Sequence, residues 1–150
     1  MTESARMQYT YEYPRPAVTV DMVIATQENP RRFLLIKRKN EPYAGKWALP
    51  GGFVDMEESL DDAARRELME ETGVVAEELE QLHTFGDPGR DPRGRVITVV
   101  YLAVVDPTKL APRADDDAAE VGWFSLEEPP ELAFDHAKIL VMAVRKLTAK

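Results

Sequence analysis

The chain has 150 residues, 44% of them hydrophobic and 31% charged, enough length and apolar content for a single soluble domain (residues 1–150) with a proper core. Its 27 acids against 19 bases give a formal net charge of −8, which argues against a broad polyanion-binding surface and predicts no nucleic-acid partner. There is no cysteine, no run of about 18 apolar residues and no basic-then-apolar leader, so disulfides, thiolate metal sites, membrane spans and a secretory signal are not expected; a cytoplasmic protein is the default.

In chain order, AVTVDMVIAT (17–26) and RFLLIKRK (32–39) read as two strands around a turn-like QENPR, a predicted hairpin. After the loop NEPYAGKWALPGG, the segment SLDDAARRELMEETG predicts the best-defined helix. Ser59 stands as N-cap with Asp62 at the third helical position, and Gly73 closes the helix in a left-handed conformation. FGDPGRDPRGRV (85–96) is irregular. VITVVYLAVV (96–105) is apolar and β-branched throughout, as a central strand covered on both faces is. EVGWFS (120–125) is a further strand, and FDHAKILVMAVRKL repeats apolar residues at the spacing of an amphipathic closing helix. Mixed strands and helices imply an α/β sheet with helices packed on it.

The helix poses a problem. Leu60, Ala63 and Ala64 define one side, and that side continues into Glu67, Glu70 and Glu71 at i, i+3 and i+4. Like charges at this spacing cost about 0.2–0.5 kcal/mol each, and the negative end of the helix dipole adds to the cost. One reading is an ordinary glutamate-rich solvated helix. The other is a cleft in which the carboxylates are protonated, paired or metal-bound. Arg66 reaches Glu70 or Asp62 one turn away but cannot neutralise three acids, so a hard divalent cation, Mg²⁺ or Mn²⁺, held by oxygen is the expected counter-charge.

Gly52, Glu58, Arg66, Glu67, Leu68, Glu70, Glu71, Gly73 and Val74 fall at the spacings of the Nudix box (52–74), and KWALPGGFV upstream resembles the family's approach to it. The chain thus resembles the Nudix hydrolases. That resemblance implies an α/β/α sandwich around a mixed β-sheet and hydrolysis of a nucleoside diphosphate linked to another group. It implies Glu67, Glu70 and Glu71 as metal ligands, with Glu70 or Glu67 also the base and the Gly51 or Gly52 carbonyl as a further ligand. Glu58 would contact metal through water or a neighbouring ligand, and Arg66 would hold the glutamates in place. A fourth catalytic acid is expected from RADDDAAEVGWF, with Glu120 preferred and Asp115, Asp116 and Asp117 as alternatives.

The string FGDPGRDPRGRVITVVYLA resembles the segment after the box in short ADP-ribose pyrophosphatases, which makes Arg90, Arg93 and Arg95 candidate substrate-binding cations. The expected partner is a small nucleoside diphosphate derivative, ADP-ribose above other nucleotide sugars, dinucleotides or noncanonical triphosphates. Nudix-like regulators of NAD metabolism carry a similar string, so a ligand-sensing module is the alternative from another class. A homodimer is implied by resemblance only. Trp47 and Trp123 are expected in packing, Tyr9, Tyr11 and Tyr13 in packing or base stacking, and Asp135 and His136 at a helix cap; Asp21 has no assigned role.

Overall fold

The computed structural model describes residues 8–114 and 118–149. Its strands are β1 (Ala17–Thr26), β2 (Arg32–Arg38), β3 (Trp47–Ala48), β4 (Gly51–Phe53), β5 (Glu80–Phe85), β6 (Val96–Val105) and β7 (Ala118–Ser125), and its helices are α1 (Leu60–Thr72) and α2 (His136–Thr148). The strands form one mixed sheet in the order β3-β2-β1-β6-β5, with β4 also on β1 and β7 also on β2. β1 and β6 run parallel in unbroken register from Ala17↔Val96 to Thr26↔Val105, and the other strand pairings are antiparallel.

Alternation along β1 decides the layers. Val20, Met22 and Ile24 share one core with Ala63, Ala64 and Leu68 of α1, while Val23 and Ala25 share the opposite core with Ile139, Leu140 and Ala143 of α2. The result is the expected α/β/α sandwich, with the apolar half of α1 as an anchor. Leu68 is fully buried there, and truncating such a leucine costs about 2–5 kcal/mol.

The predicted helix caps are present. The Ser59 hydroxyl accepts the Asp62 N–H at 3.1 Å, and Gly73, at φ 72°, donates its N–H to the Met69 carbonyl. Trp47 and Trp123 pack into the cores, Trp47 meeting the Phe124 ring edge-on at 4.5 Å. Three strands escape sequence reading. β3 and β4 have two and three residues and owe their extension to β2 and β1. β5 is an edge strand with mostly exposed side chains, so its apolar alternation is too faint to detect. β7 begins at Ala118, two residues before the predicted start.

Candidate active site

A cleft of about 800 Å³ opens where the N-terminal half of β1, β4, the C-terminal half of α1 and the loop before β6 meet. β4 creates it by close approach. Asp21 pairs with Gly51 and Val20 with Gly52, and a β-carbon at position 51 would overlap the Val20 carbonyl and the Asp21 carboxylate. A β-carbon at position 52 would sit 2.5 Å from the Glu67 carboxylate. The two glycines let α1 bring its acids against a bare backbone.

Arg66 organises those acids. Its Nε and Nη2 donate to the two Glu58 oxygens at 2.9 and 2.5 Å, and Nη2 also donates to the Phe53 carbonyl. Nη1 donates to Glu67 at 2.8 Å and to Glu70 at 3.2 Å. Asp62, the other expected partner, makes no ion pair with Arg66 among the described residues; its backbone N–H donates to Ser59 in the helix cap. Hydrogen bonding to Arg66 holds the Glu58 carboxyl below the usual glutamate value, and the Asp55 N–H adds to this. Glu58 therefore acts on the site as the anchor of Arg66. Burial pushes the Glu67 carboxyl up despite Arg66, and the side chain is only 14% exposed. Glu70 is more open, at 36%. Glu71 is buried, and its carboxylate accepts the Gly51 N–H at 2.6 Å.

These donors are hard oxygens of the kind Mg²⁺ and Mn²⁺ prefer, and the burial that raises Glu67 is what a bound cation would relieve. Glu67, Glu70 and Glu71 together with the Gly51 and Gly52 backbone thus suit a divalent ion. Among the described residues, the carboxylates do not yet gather as a ready cluster of three or more metal-ligating side chains, because Glu67 and Glu70 lean on Arg66 and Glu71 on Gly51.

The other candidates divide. Arg90 and Arg93 line the cleft. Arg90 is clamped by Asp135 through Nε and Nη2 at 2.9 and 2.7 Å, and Arg93 by Asp91 at 3.1 and 2.8 Å. Arg95 does not line the cleft; it donates to the Gly86 carbonyl. Glu120 is also outside the cleft lining. Its register on β7 sets it opposite Lys37 of β2, with which it forms an exposed ion pair at 3.2 Å, so it does not join the glutamates. Asp115, Asp116 and Asp117 lie outside the described residues. Tyr9 lines the cleft and stacks on Tyr11, with 6.3 Å between rings, while Tyr13 is exposed.

Sequence reading missed the supports. Asp135 occupies the N-cap position of α2 but makes no side-chain cap bond, because its carboxylate is committed to Arg90. His136 is buried, and burial lowers its basicity; its Nδ1 accepts the Leu49 N–H at 3.0 Å, fixing the turn that leads into the glycines. Asp21 accepts a 2.6 Å hydrogen bond from Thr98 and borders the cleft. Asp91 did leave a local signal: an aspartate two residues before an arginine in a Gly/Pro loop is the setting of an Asx turn, and it accepts the Arg93 backbone N–H at 2.9 Å.

A second hollow, of about 340 Å³, lies between β2, β7 and α2 and is lined by Phe33, Leu126, Val144 and Leu147; it gathers none of these site residues.

Comparison with known proteins places this geometry. The family model described as NUDIX domain matches residues 15–142. The ADP-ribose pyrophosphatase of Methanocaldococcus jannaschii is 46% identical over 128 residues, covering 85% of this chain and 73% of that protein. The ADPR responsive transcriptional repressor NtrR of Acinetobacter baylyi is 40% identical over 144 residues, but this chain spans only 57% of its length. Among solved structures, the NUDIX domain of Shewanella oneidensis NrtR complexed with ADP ribose superposes with a TM-score of 0.83 at 36% identity, covering 99% of this chain and all of that one. A MutT/nudix family protein from Enterococcus faecalis reaches 0.86 at 40% identity, covering 95% of this chain and 66% of that one.

Proposed function

The chain belongs to the NUDIX family, and from that premise we propose that it is a divalent-metal-dependent pyrophosphohydrolase acting on ADP-ribose, releasing AMP and ribose 5-phosphate. The observation that carries the reading is the acid lip of the cleft. There, three glutamates of one helix meet a two-glycine strand, Glu67 and Glu70 held by a single arginine and Glu71 by the Gly51 N–H. The choice of ADP-ribose draws support from the pyrophosphatase of M. jannaschii and from the ADP-ribose complex of the Shewanella domain.

In this reading Glu67, Glu70 and Glu71 hold the ion, with a Gly51 or Gly52 carbonyl. Mg²⁺ or Mn²⁺, when bound, supplies positive charge for the pyrophosphate oxygens and makes bound water more acidic. The protein does the rest. Arg66 keeps Glu67 and Glu70 aimed, and Glu67 or the more open Glu70 accepts the proton of the attacking water. The water oxygen bonds to one phosphorus as the bridging P–O bond breaks, and no covalent protein intermediate is needed. Arg90 and Arg93 contribute positive charge to the wall of the cleft. A homodimer and a cytoplasmic location belong to the same proposal.

A sensing module is the second reading, favoured by the 40% identity to the repressor NtrR. Incubation with Mg²⁺ and a panel of ADP-ribose, ADP-glucose, NADH, diadenosine polyphosphates and nucleoside triphosphates separates them. AMP from ADP-ribose, at a rate well above the other substrates, is expected. Tight ADP-ribose binding without product supports the sensor, and fast turnover of another substrate alone overturns the assignment of ADP-ribose.

A further inference from the structure

One arginine on the cleft wall has no role in the proposed chemistry. Arg38, at the end of β2, lines the cleft. The other arginines there are committed: Arg66 to Glu58, Arg90 to Asp135 and Arg93 to Asp91. Arg38 has no ion pair among the described residues. Its Nε donates to the Pro42 carbonyl at 2.7 Å, which leaves the end-on edge formed by Nη1 and Nη2. That edge presents two parallel donors, the pattern that suits two oxygens of one phosphate.

Arg38 is also held by its face. Its guanidinium lies over the Phe134 ring at 5.0 Å; Arg93 lies over the same ring at 5.3 Å and over Phe53 at 4.8 Å. Phe53, Arg93, Phe134 and Arg38 therefore follow one another along the cleft, rings alternating with cations. Phe134 stands at φ 51°, and its ring meets edge-on, at 4.8 Å, that of Tyr43, itself at φ 63°. Left-handed backbone at a non-glycine residue costs about 1–3 kcal/mol and persists where the surroundings enforce it, often at functional sites. Two such residues meet in this one contact. Burial and the nearby Arg93 outweigh the Glu71, Asp91 and Asp21 carboxylates and lower the basicity of Arg38.

We propose that Arg38 is a specificity-determining residue that receives phosphate oxygens of the nucleoside diphosphate substrate, and that Phe134 is the positioning residue that aims it. The proposal rests on the pyrophosphohydrolase reading but adds a residue outside the box and outside the loop before β6.

The test uses the full chain. Binding of ADP-ribose and of inorganic pyrophosphate to EDTA-treated protein is measured by calorimetry, and kcat and KM for AMP release are measured with Mg²⁺. The variants are Arg38→Met, Arg38→Lys, Phe134→Leu and Phe134→Tyr, each compared with wild type by thermal melting. Arg38→Met is expected to weaken binding of both probes by about tenfold or more and to raise KM to match. Its kcat should stay within about threefold, the pattern of lost binding rather than lost chemistry. Arg38→Lys, with charge but no fork, falls between. Phe134→Leu shifts in the same direction, and Phe134→Tyr, which keeps the ring, restores binding. Wild-type affinity for both probes in a folded Arg38→Met protein overturns the proposal, as does loss of kcat at unchanged KM. If wild type releases no AMP from ADP-ribose, the pyrophosphohydrolase reading fails by itself, and the pyrophosphate titration still decides the role of Arg38: weakened binding supports it and unchanged binding overturns it.

Discussion

The Glu71 carboxylate accepts the backbone N–H of Gly51 at 2.6 Å, tying the last turn of α1 to the strand that forms the cleft floor. Twenty residues of sequence separation close into one hydrogen bond, so the acid proposed as a metal ligand also fixes the position of a carbonyl proposed to act beside it.

Glu71→Gln separates these two roles. The amide oxygen can still accept from Gly51, so melting temperature should stay within a few degrees of wild type, whereas loss of the negative charge should lower turnover by roughly a hundredfold or more. AMP release and thermal melting measure both. Near-wild-type turnover would remove Glu71 from the proposed ligands.

Gly52→Ala introduces a methyl group 2.5 Å from the Glu67 carboxylate. Because the obstacle is the end of a side chain, Glu67 can swing aside, at a folding cost of about 1–3 kcal/mol. Activity should suffer more than stability. Gly51→Ala meets the Val20 carbonyl, which cannot move without parting β1 from β4, and should destabilise more. Chemical denaturation of the two variants ranks them.

Asp91→Asn probes the loop clamp through pH. Burial raises the Asp91 carboxyl, but hydrogen bonds from the side chain and backbone of Arg93 outweigh it and leave the group below the ordinary aspartate value. It therefore binds its proton less tightly when folded than when unfolded. Its contribution is complete above the ordinary aspartate range and disappears as pH falls through the depressed value. The side chain is 2% exposed, so the variant should be less stable than wild type by about 1–3 kcal/mol at neutral pH. The gap should shrink in acid. Denaturant melts between neutral pH and pH about 3 follow it, and a gap independent of pH would refute the charged clamp.

Metal addition should stabilise the chelated protein. With Glu67 raised by burial and several acids sharing Arg66, a divalent ion that binds only the folded state adds about 2.7 kcal/mol at a hundred times its dissociation constant. The readout is a rise in melting temperature with Mg²⁺ or Mn²⁺ after EDTA treatment. Glu71→Gln should blunt that rise.

Much of this site was visible in the sequence because it is local. Arg66, Glu67, Glu70 and Glu71 lie on one helix, capped by Ser59 and Gly73, where spacing fixes direction. The layers were visible for the same reason, since β1, β6 and α2 carry strong periodicity or unbroken apolar runs. What stayed hidden depends on pairings between distant segments. The register of β7 on β2 sets Glu120 opposite Lys37, Asp135 holds Arg90 across 45 residues, and His136 holds Leu49 across 87. Arg38 was hidden differently: in RFLLIKRK it is one of several cations, and only the Phe134 ring and the pairing of its rivals single it out. Asp91 lies in the same Gly/Pro loop as Arg90, Arg93 and Arg95, and its role is set by its hydrogen bonds to Arg93.

The unbroken parallel register of β1 with β6 carries a consequence for assembly. β1 lies between β2 and β6 in the sheet and also supplies the ledge on which Gly51 and Gly52 rest. Its β6 side stays open until Val96–Val105 has been made, because parallel neighbours cannot close through a tight turn. A nascent chain released as far as Phe85 already holds every glutamate of the box, yet those acids belong to a helix on an unfinished sheet. Hydrolytic competence therefore arrives late in synthesis, delivered by a strand that contributes none of the proposed metal ligands.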